Sequence, residues 1–105
     1  MYIYRKSAGR GFHNWTYEED YICCEMYLKY LSRQDYLRQR IEDFVNLVHS
    51  RIPNVKKSSI RMKFQNIQYL VDKYAPYLGK AIASLDQYSD QCLNVFLNLS
   101  KKIEI

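Results

Sequence analysis

Ser58-Ser59-Ile60-Arg61-Met62-Lys63-Phe64-Gln65-Asn66-Ile67-Gln68-Tyr69-Leu70 is the stretch on which the reading of this chain turns. At about 100° per residue, Ile60, Phe64, Ile67, Val71 and Tyr74 fall on one stripe, the pattern of an amphipathic helix with one face on a core. Arg61, Gln65, Asn66, Tyr69 and Lys73 spread over the other side, and Lys56, Lys57 and Lys63 gather around the start. Arg, Gln and Asn can hydrogen-bond base edges and lysines can hold phosphates, so the outer side is a candidate nucleic-acid surface. The same pattern also describes an ordinary solvated helix face. Ser58 is the expected cap. The helix should end before Pro76, because the residue preceding a proline is pushed out of helical geometry.

Two helices are expected ahead of it. The first opens at Thr16 with a T-x-x-E capping box closed by Glu19, and Glu18, Glu19 and Asp20 crowd its first turn, where the helix dipole favours negative charge. That electrostatic role accounts for the acidic cluster without catalysis. Ile22, Cys23, Met26, Tyr27, Tyr30 and Leu31 form its stripe through about Ser32, and Trp15 is placed to fold back as a hydrophobic staple. The second runs over 35–51 with Leu37, Ile41, Phe44, Val45 and Val48 inward, and Pro53 stops it.

Downstream, a short helical turn is expected between Tyr77 and Ala83 with Gly79 as a break. A second capping box at Ser84 opens a last helix that carries Tyr88, Cys92, Val95, Phe96 and Leu99 to about Ser100. The architecture is all-α: a three-helix, helix-turn-helix or Myb-like core with one or two additional C-terminal helices. Residues 1–14 read as a basic, aromatic arm, and residues 15–105 as a single helical domain.

The 105 residues are enough for one modest core, and 48% hydrophobic with 26% charged residues is a globular mix. No apolar run approaches the ~20 residues that span a bilayer, and no secretory h-region opens the chain, so a cytoplasmic location is expected. The net charge of +5 is segregated. Residues 1–15 hold Arg5, Lys6 and Arg10 with no acid; residues 16–35 hold five carboxylates against Lys29 and Arg33; residues 36–63 hold seven cations against Glu42 and Asp43. The excess thus lies in the arm and on the approach to the third helix, which suits an anionic partner.

Catalytic constellations are thin. Cys23, Cys24 and Cys92 lack the spacing of a metal site, and Cys23 and Cys92 read as small buried hydrophobes. His13 and His49 have no partner at regular spacing, and Cys24 sits among glutamates that disfavour a thiolate. Neither a glycine-rich phosphate loop nor a serine nucleophile motif occurs. No enzyme activity, cofactor or metal is expected. The eleven tyrosines raise a different prospect, because Tyr17, Tyr21, Tyr36 and Tyr69 lie off the core stripes and suit a binding surface.

Trp15-Thr16-Tyr17-Glu18-Glu19-Asp20, opening a helix ahead of a basic third helix, resembles the start of a Myb/SANT-like repeat, a three-helix domain whose third helix lies in the DNA major groove. The later tryptophans of that pattern are missing. The chain is more similar to the helical domain that precedes the catalytic module of some HNH-type restriction endonucleases. There a W-T-x-E-E helix is followed by S-[IV]-x-M-[KR]-[LF]-x-N-[FI]. Trp15, Thr16, Glu18 and Glu19 match the first motif, and Ser59, Ile60, Met62, Lys63, Phe64, Asn66 and Ile67 the second, over residues 13–72. The likeness includes no HNH module, so it implies a DNA-contacting helical unit of a phage, mobile element or bacterium rather than a nuclease.

The expected function is non-catalytic binding of nucleic acid, duplex DNA in particular. The third helix (58–74) would read bases through Arg61, Gln65 and Asn66, beside Tyr69. Lys56, Lys57, Lys63 and Lys73 would hold phosphates, and Arg5, Lys6 and Arg10 would add backbone or minor-groove contacts. Lys63 and Asn66 lie toward the edge of the core stripe, where either can serve the fold instead. The rival expectation is a protein-binding inhibitor or adaptor of a host nuclease or other defence protein, of the anti-restriction or anti-CRISPR type. A homodimer through Tyr36, Tyr69 or the last helix is a third possibility.

Overall fold

The computed structural model describes residues 13–103, and every regular element among them is helical. Four α-helices run in order: α1 over Tyr17–Ser32, α2 over Ile41–Arg51, α3 over Lys57–Tyr74 and α4 over Asp90–Ile103. Two short 3-10 turns, Asp35–Leu37 and Pro76–Leu78, punctuate the links. None of the described helices is long and apolar enough to cross a membrane.

The start of α1 follows from its sequence. Thr16 is the N-cap, its hydroxyl accepts the Glu19 amide at 3.1 Å, and the Glu19 carboxylate accepts the Thr16 amide at 3.0 Å. Both halves of the capping box are therefore closed. The helix is central, and packs on each of the other three helices and on both turns. Cys24 and Leu28, which lie off the expected stripe, are as fully buried as Cys23 and Tyr27, because α4 covers that second flank of α1. On the first flank an aromatic cluster joins three helices: Tyr27 stacks on Phe64 at 5.0 Å, Tyr30 meets Phe44 at 4.5 Å, and Phe44 meets Phe64 at 6.2 Å. Such pairs each add ~0.5–1.5 kcal/mol beyond the area they bury.

The second helix is shorter than 35–51. After α1, Gln34 takes a left-handed backbone (φ 58°), Asp35–Leu37 forms a single 3-10 turn, and Arg40 resumes an extended conformation as the N-cap of α2. The Tyr30 hydroxyl donates to the Gln39 carbonyl at 2.6 Å, which ties the link down in this path. Leu37, expected inward, is 69% exposed as a result. Helix α2 ends at Arg51 with Pro53 just beyond, as its sequence prescribes.

Helix α3 starts at Lys57, one residue before the expected cap; Lys56 is the N-cap and contributes no side-chain bond. Ile60, Phe64, Ile67 and Val71 are all fully buried, but Tyr74, at the end of the same stripe, is 45% exposed. Its ring meets Phe96 at 6.2 Å, and the Lys73 ammonium lies 5.5 Å from its centroid.

The last helix is the largest departure. Ser84 caps nothing; α4 begins at Asp90, and Ser89 is its cap, accepting the Cys92 amide at 3.1 Å. Residues 79–89 form an irregular strap instead. The cause lies in α3. The Leu85 amide donates to the Gln65 carbonyl at 3.0 Å, and the Asn66 amide group donates to the Leu85 carbonyl at 2.9 Å. These bonds satisfy both backbone polar groups of Leu85 in this irregular path and hold the strap against α3.

Candidate nucleic-acid interface

Each side chain expected to touch nucleic acid has a definite place, apart from Arg5, Lys6 and Arg10, which lie outside the described residues. Lys56, Lys57 and Lys73 are exposed. Arg61, Gln65 and Tyr69 are half-buried, and Lys63 and Asn66 are interior at 1% and 4% exposure.

Lys63 is therefore corrected from phosphate ligand to core ion. Its ammonium lies 2.8 Å from one Asp20 oxygen and 4.5 Å from the centroid of the Trp15 ring. Gln91 of α4 donates to the other Asp20 oxygen at 2.8 Å and to the Trp15 carbonyl at 3.1 Å. The acidic start of α1 thus has more than a dipole role, since Asp20 has a specific buried partner. Trp15 is not a staple in the usual sense either. The position it would staple, the fourth of the helix, is Asp20 itself, so the indole roofs the ion pair instead. A signal for this existed: Lys63 follows Ile60 by three residues and precedes Ile67 by four, the spacing of the stripe itself.

Asn66 is corrected in the same way, because its amide holds the strap rather than a base. Around the helix, Gln68 and Asn66 mark opposite edges of the outward side. Gln68 donates to the Gly79 carbonyl at 3.0 Å and accepts from the Ala81 amide at 3.3 Å, while Asn66 and Gln65 take Leu85. The inward side of α3 is packed on the core, so the chain between these contacts crosses the outward side. Farther along, Tyr69 stacks on Tyr88 at 5.7 Å. The middle of the expected reading face is thus covered by residues 79–89. Gln68, fully buried and also accepting from the Tyr27 hydroxyl, was not anticipated as part of any site.

The first two turns of α3 remain open. There the Arg61 guanidinium grips the Glu42 carboxylate with two bonds, Nε to Oε2 at 2.7 Å and Nη2 to Oε1 at 2.6 Å. Those bonds, reinforced by the nearby charges of Arg61, Arg40 and Lys57, hold the Glu42 carboxyl below its usual range. Lys57 and Arg61 stand four residues apart and share a helix face. The open end of α3 is thus a cation cluster around one carboxylate, with Lys56 beside it. Neither Glu42 nor Arg40 was singled out from sequence, because their approach depends on how α2 crosses α3.

Other chemistry finds little support in the geometry. The three thiols are free and buried, and burial pushes Cys92 up to about 11 and Cys23 and Cys24 higher still. Thiols held so far above neutral pH are poor nucleophiles. Among the described residues, no group of three or more His, Cys, Asp or Glu could hold a metal ion. His13 Nε2 donates to the Glu19 carboxylate at 2.7 Å and its ring meets the edge of Trp15 at 4.8 Å, which explains it as part of the α1 cap.

No protein-family model, curated protein or solved structure matches this chain. The W-T-x-E-E and S-I-x-M-K-F-x-N-I likenesses accordingly assign it to no family.

Proposed function

We propose that this chain is a non-catalytic helical module that binds nucleic acid, duplex DNA above all, through the open end of α3. The observation that carries the reading is the bidentate Arg61–Glu42 pair at the junction of α2 and α3, with Arg40 two residues from Glu42, Lys57 one turn before Arg61 and Lys56 beside it. Phosphate contacts of this kind supply most of the affinity and little of the sequence preference. In this reading α2, the link 52–56 and α3 act as a helix-turn-helix-like pair. In it the strap limits α3 to phosphate contacts at its open end, and the Arg5, Lys6 and Arg10 arm adds further phosphate contacts.

The test is the salt dependence of binding to a short duplex. With about four to five phosphates neutralised, the log–log slope should lie near −4. Absence of any shift of duplex at low salt, with folded protein at micromolar concentration, overturns the reading.

A different observation favours a protein partner. Leu37 and Tyr77 are 69% and 63% exposed, and Tyr77 lines an open, mixed polar and apolar depression of about 640 Å³ with Leu31, Ser32, Gln34, Tyr36, Leu78 and Gly79. An inhibitor or adaptor of a nuclease or other defence protein could use such a surface. Recovery of one stoichiometric protein partner after nuclease treatment, lost in a Tyr77→Ala variant, supports this second reading; recovery unchanged by the substitution counts against it.

A further inference from the structure

The Arg61–Glu42 pair is unusual in its setting. It is bidentate, yet its side chains are 37% and 49% exposed, so solvent and other anions can reach it and salt screens it. The geometry is the fork that a guanidinium offers equally to a carboxylate or a phosphate. Lys57 stands one turn before Arg61 on the same face, in the first turn of α3, where the helix dipole also favours an anion. Arg40, the N-cap of α2, is two residues from Glu42 and reaches Asp43 at 3.4 Å. Three cations thus face two carboxylates, and loss of either carboxylate leaves an excess of two.

We infer that Arg40, Lys57 and Arg61 form an oxyanion site for a phosphate group, and that the Glu42 carboxylate occupies it from within as a displaceable competitor. The Glu42 carboxylate keeps Arg61 ordered while Asp43 holds Arg40, which discourages binding of isolated anions. A phosphate backbone touches several cations at once and releases its counterions, so it displaces Glu42 where a lone ion does so weakly. The source of the phosphate, a nucleic acid, rests on the function proposed above; the site itself does not.

The test titrates wild type, Glu42→Gln, Glu18→Gln and the double variant Glu42→Gln/Arg61→Gln with inorganic phosphate, and separately with a short DNA duplex, following backbone amides by NMR. Glu18 is exposed in the first turn of α1, so its variant carries the same charge change elsewhere, and the spectra report whether each variant is folded. Glu42→Gln should bind phosphate roughly threefold tighter than wild type, with shifts centred on residues 57–61. Glu18→Gln should gain less, and removal of Arg61 should abolish the gain. Equal gains in Glu42→Gln and Glu18→Gln, or shifts centred elsewhere, overturn the site. If Glu42→Gln gains phosphate while no protein binds duplex, the oxyanion site stands and the nucleic-acid reading falls. If all bind duplex but Glu42→Gln gains nothing with either probe, the site falls and the reading stands.

Discussion

The Lys63 ammonium lies 2.8 Å from the Asp20 carboxylate, with both side chains at or below 1% exposure, and this one contact joins α3 to α1 while Gln91 brings in α4. Removing one member of such a pair leaves the other charged and buried, at a cost of about 3–5 kcal/mol, whereas apolar replacement of both is often near neutral. Lys63→Met and Asp20→Leu should each lower the urea midpoint strongly, and the double variant should be more stable than either. Additive losses in the double-mutant cycle would show that the two side chains do not act as a pair.

Gln68 fastens the strap at its first edge. Its truncation to Ala leaves the Tyr27 hydroxyl, the Gly79 carbonyl and the Ala81 amide without their partner. At ~1–3 kcal/mol for a stranded buried group, the loss should exceed about 2 kcal/mol. Amide exchange should accelerate in residues 79–85 more than in α1. Uniform acceleration through the whole chain would mean that Gln68 supports the core rather than the strap.

Gly79 adopts φ 100° and ψ −168°, a region essentially reserved for glycine, and a Cβ there would stand 3.2 Å from the Tyr36 hydroxyl. Gly79→Ala should cost about 1–3 kcal/mol. Adding Tyr36→Phe should recover only part of this, since it relieves the close approach and leaves the backbone strain. Full recovery would place the whole cost in the contact.

Ser89 and Ser84 offer a direct choice between two starts for α4. Ser89→Ala should destabilise by ~1 kcal/mol, the usual worth of an N-cap, and Ser84→Ala by a few tenths at most. The reverse order in thermal melts would restore a helix beginning at Ser84.

Glu19 carries a pH dependence. Burial raises its pKa, but the bonds from His13 and from Thr16 outweigh that, so the carboxyl titrates below its ordinary 4.5. A depressed carboxylate stabilises the fold above its unfolded pKa and loses that contribution as pH falls through the folded one. Stability should therefore drop less steeply below about pH 4.5 in Glu19→Gln than in wild type. Parallel pH profiles would remove Glu19 from the acid response.

The periodic stripes of α1, α3 and α4 and the Thr16 capping box were legible because they depend on residues within a few positions of one another. Pro53 and Pro76 likewise ended their helices by local sterics alone. The roles of Lys63 and Asn66 were not settled locally. Both sit at the edge of a stripe, where a polar side chain can point to solvent or inward, and the choice depends on whether Asp20 and Leu85 arrive to meet them. Similarly, the false start at Ser84 obeyed every local rule and lost to two hydrogen bonds from α3.

By itself the sequence determined an all-helical chain, the positions of three helix starts or stops and the gathering of cations before α3, since propensity, capping and charge act along the chain. Only the tertiary structure decided which of those cations remain outside. Packing α4 on the second flank of α1 enclosed Asp20, and a buried carboxylate requires a cation, which drew Lys63 inward. Asn66 and Gln68 hold the strap across α3, which leaves Arg61, held by Glu42, at the open end of the helix.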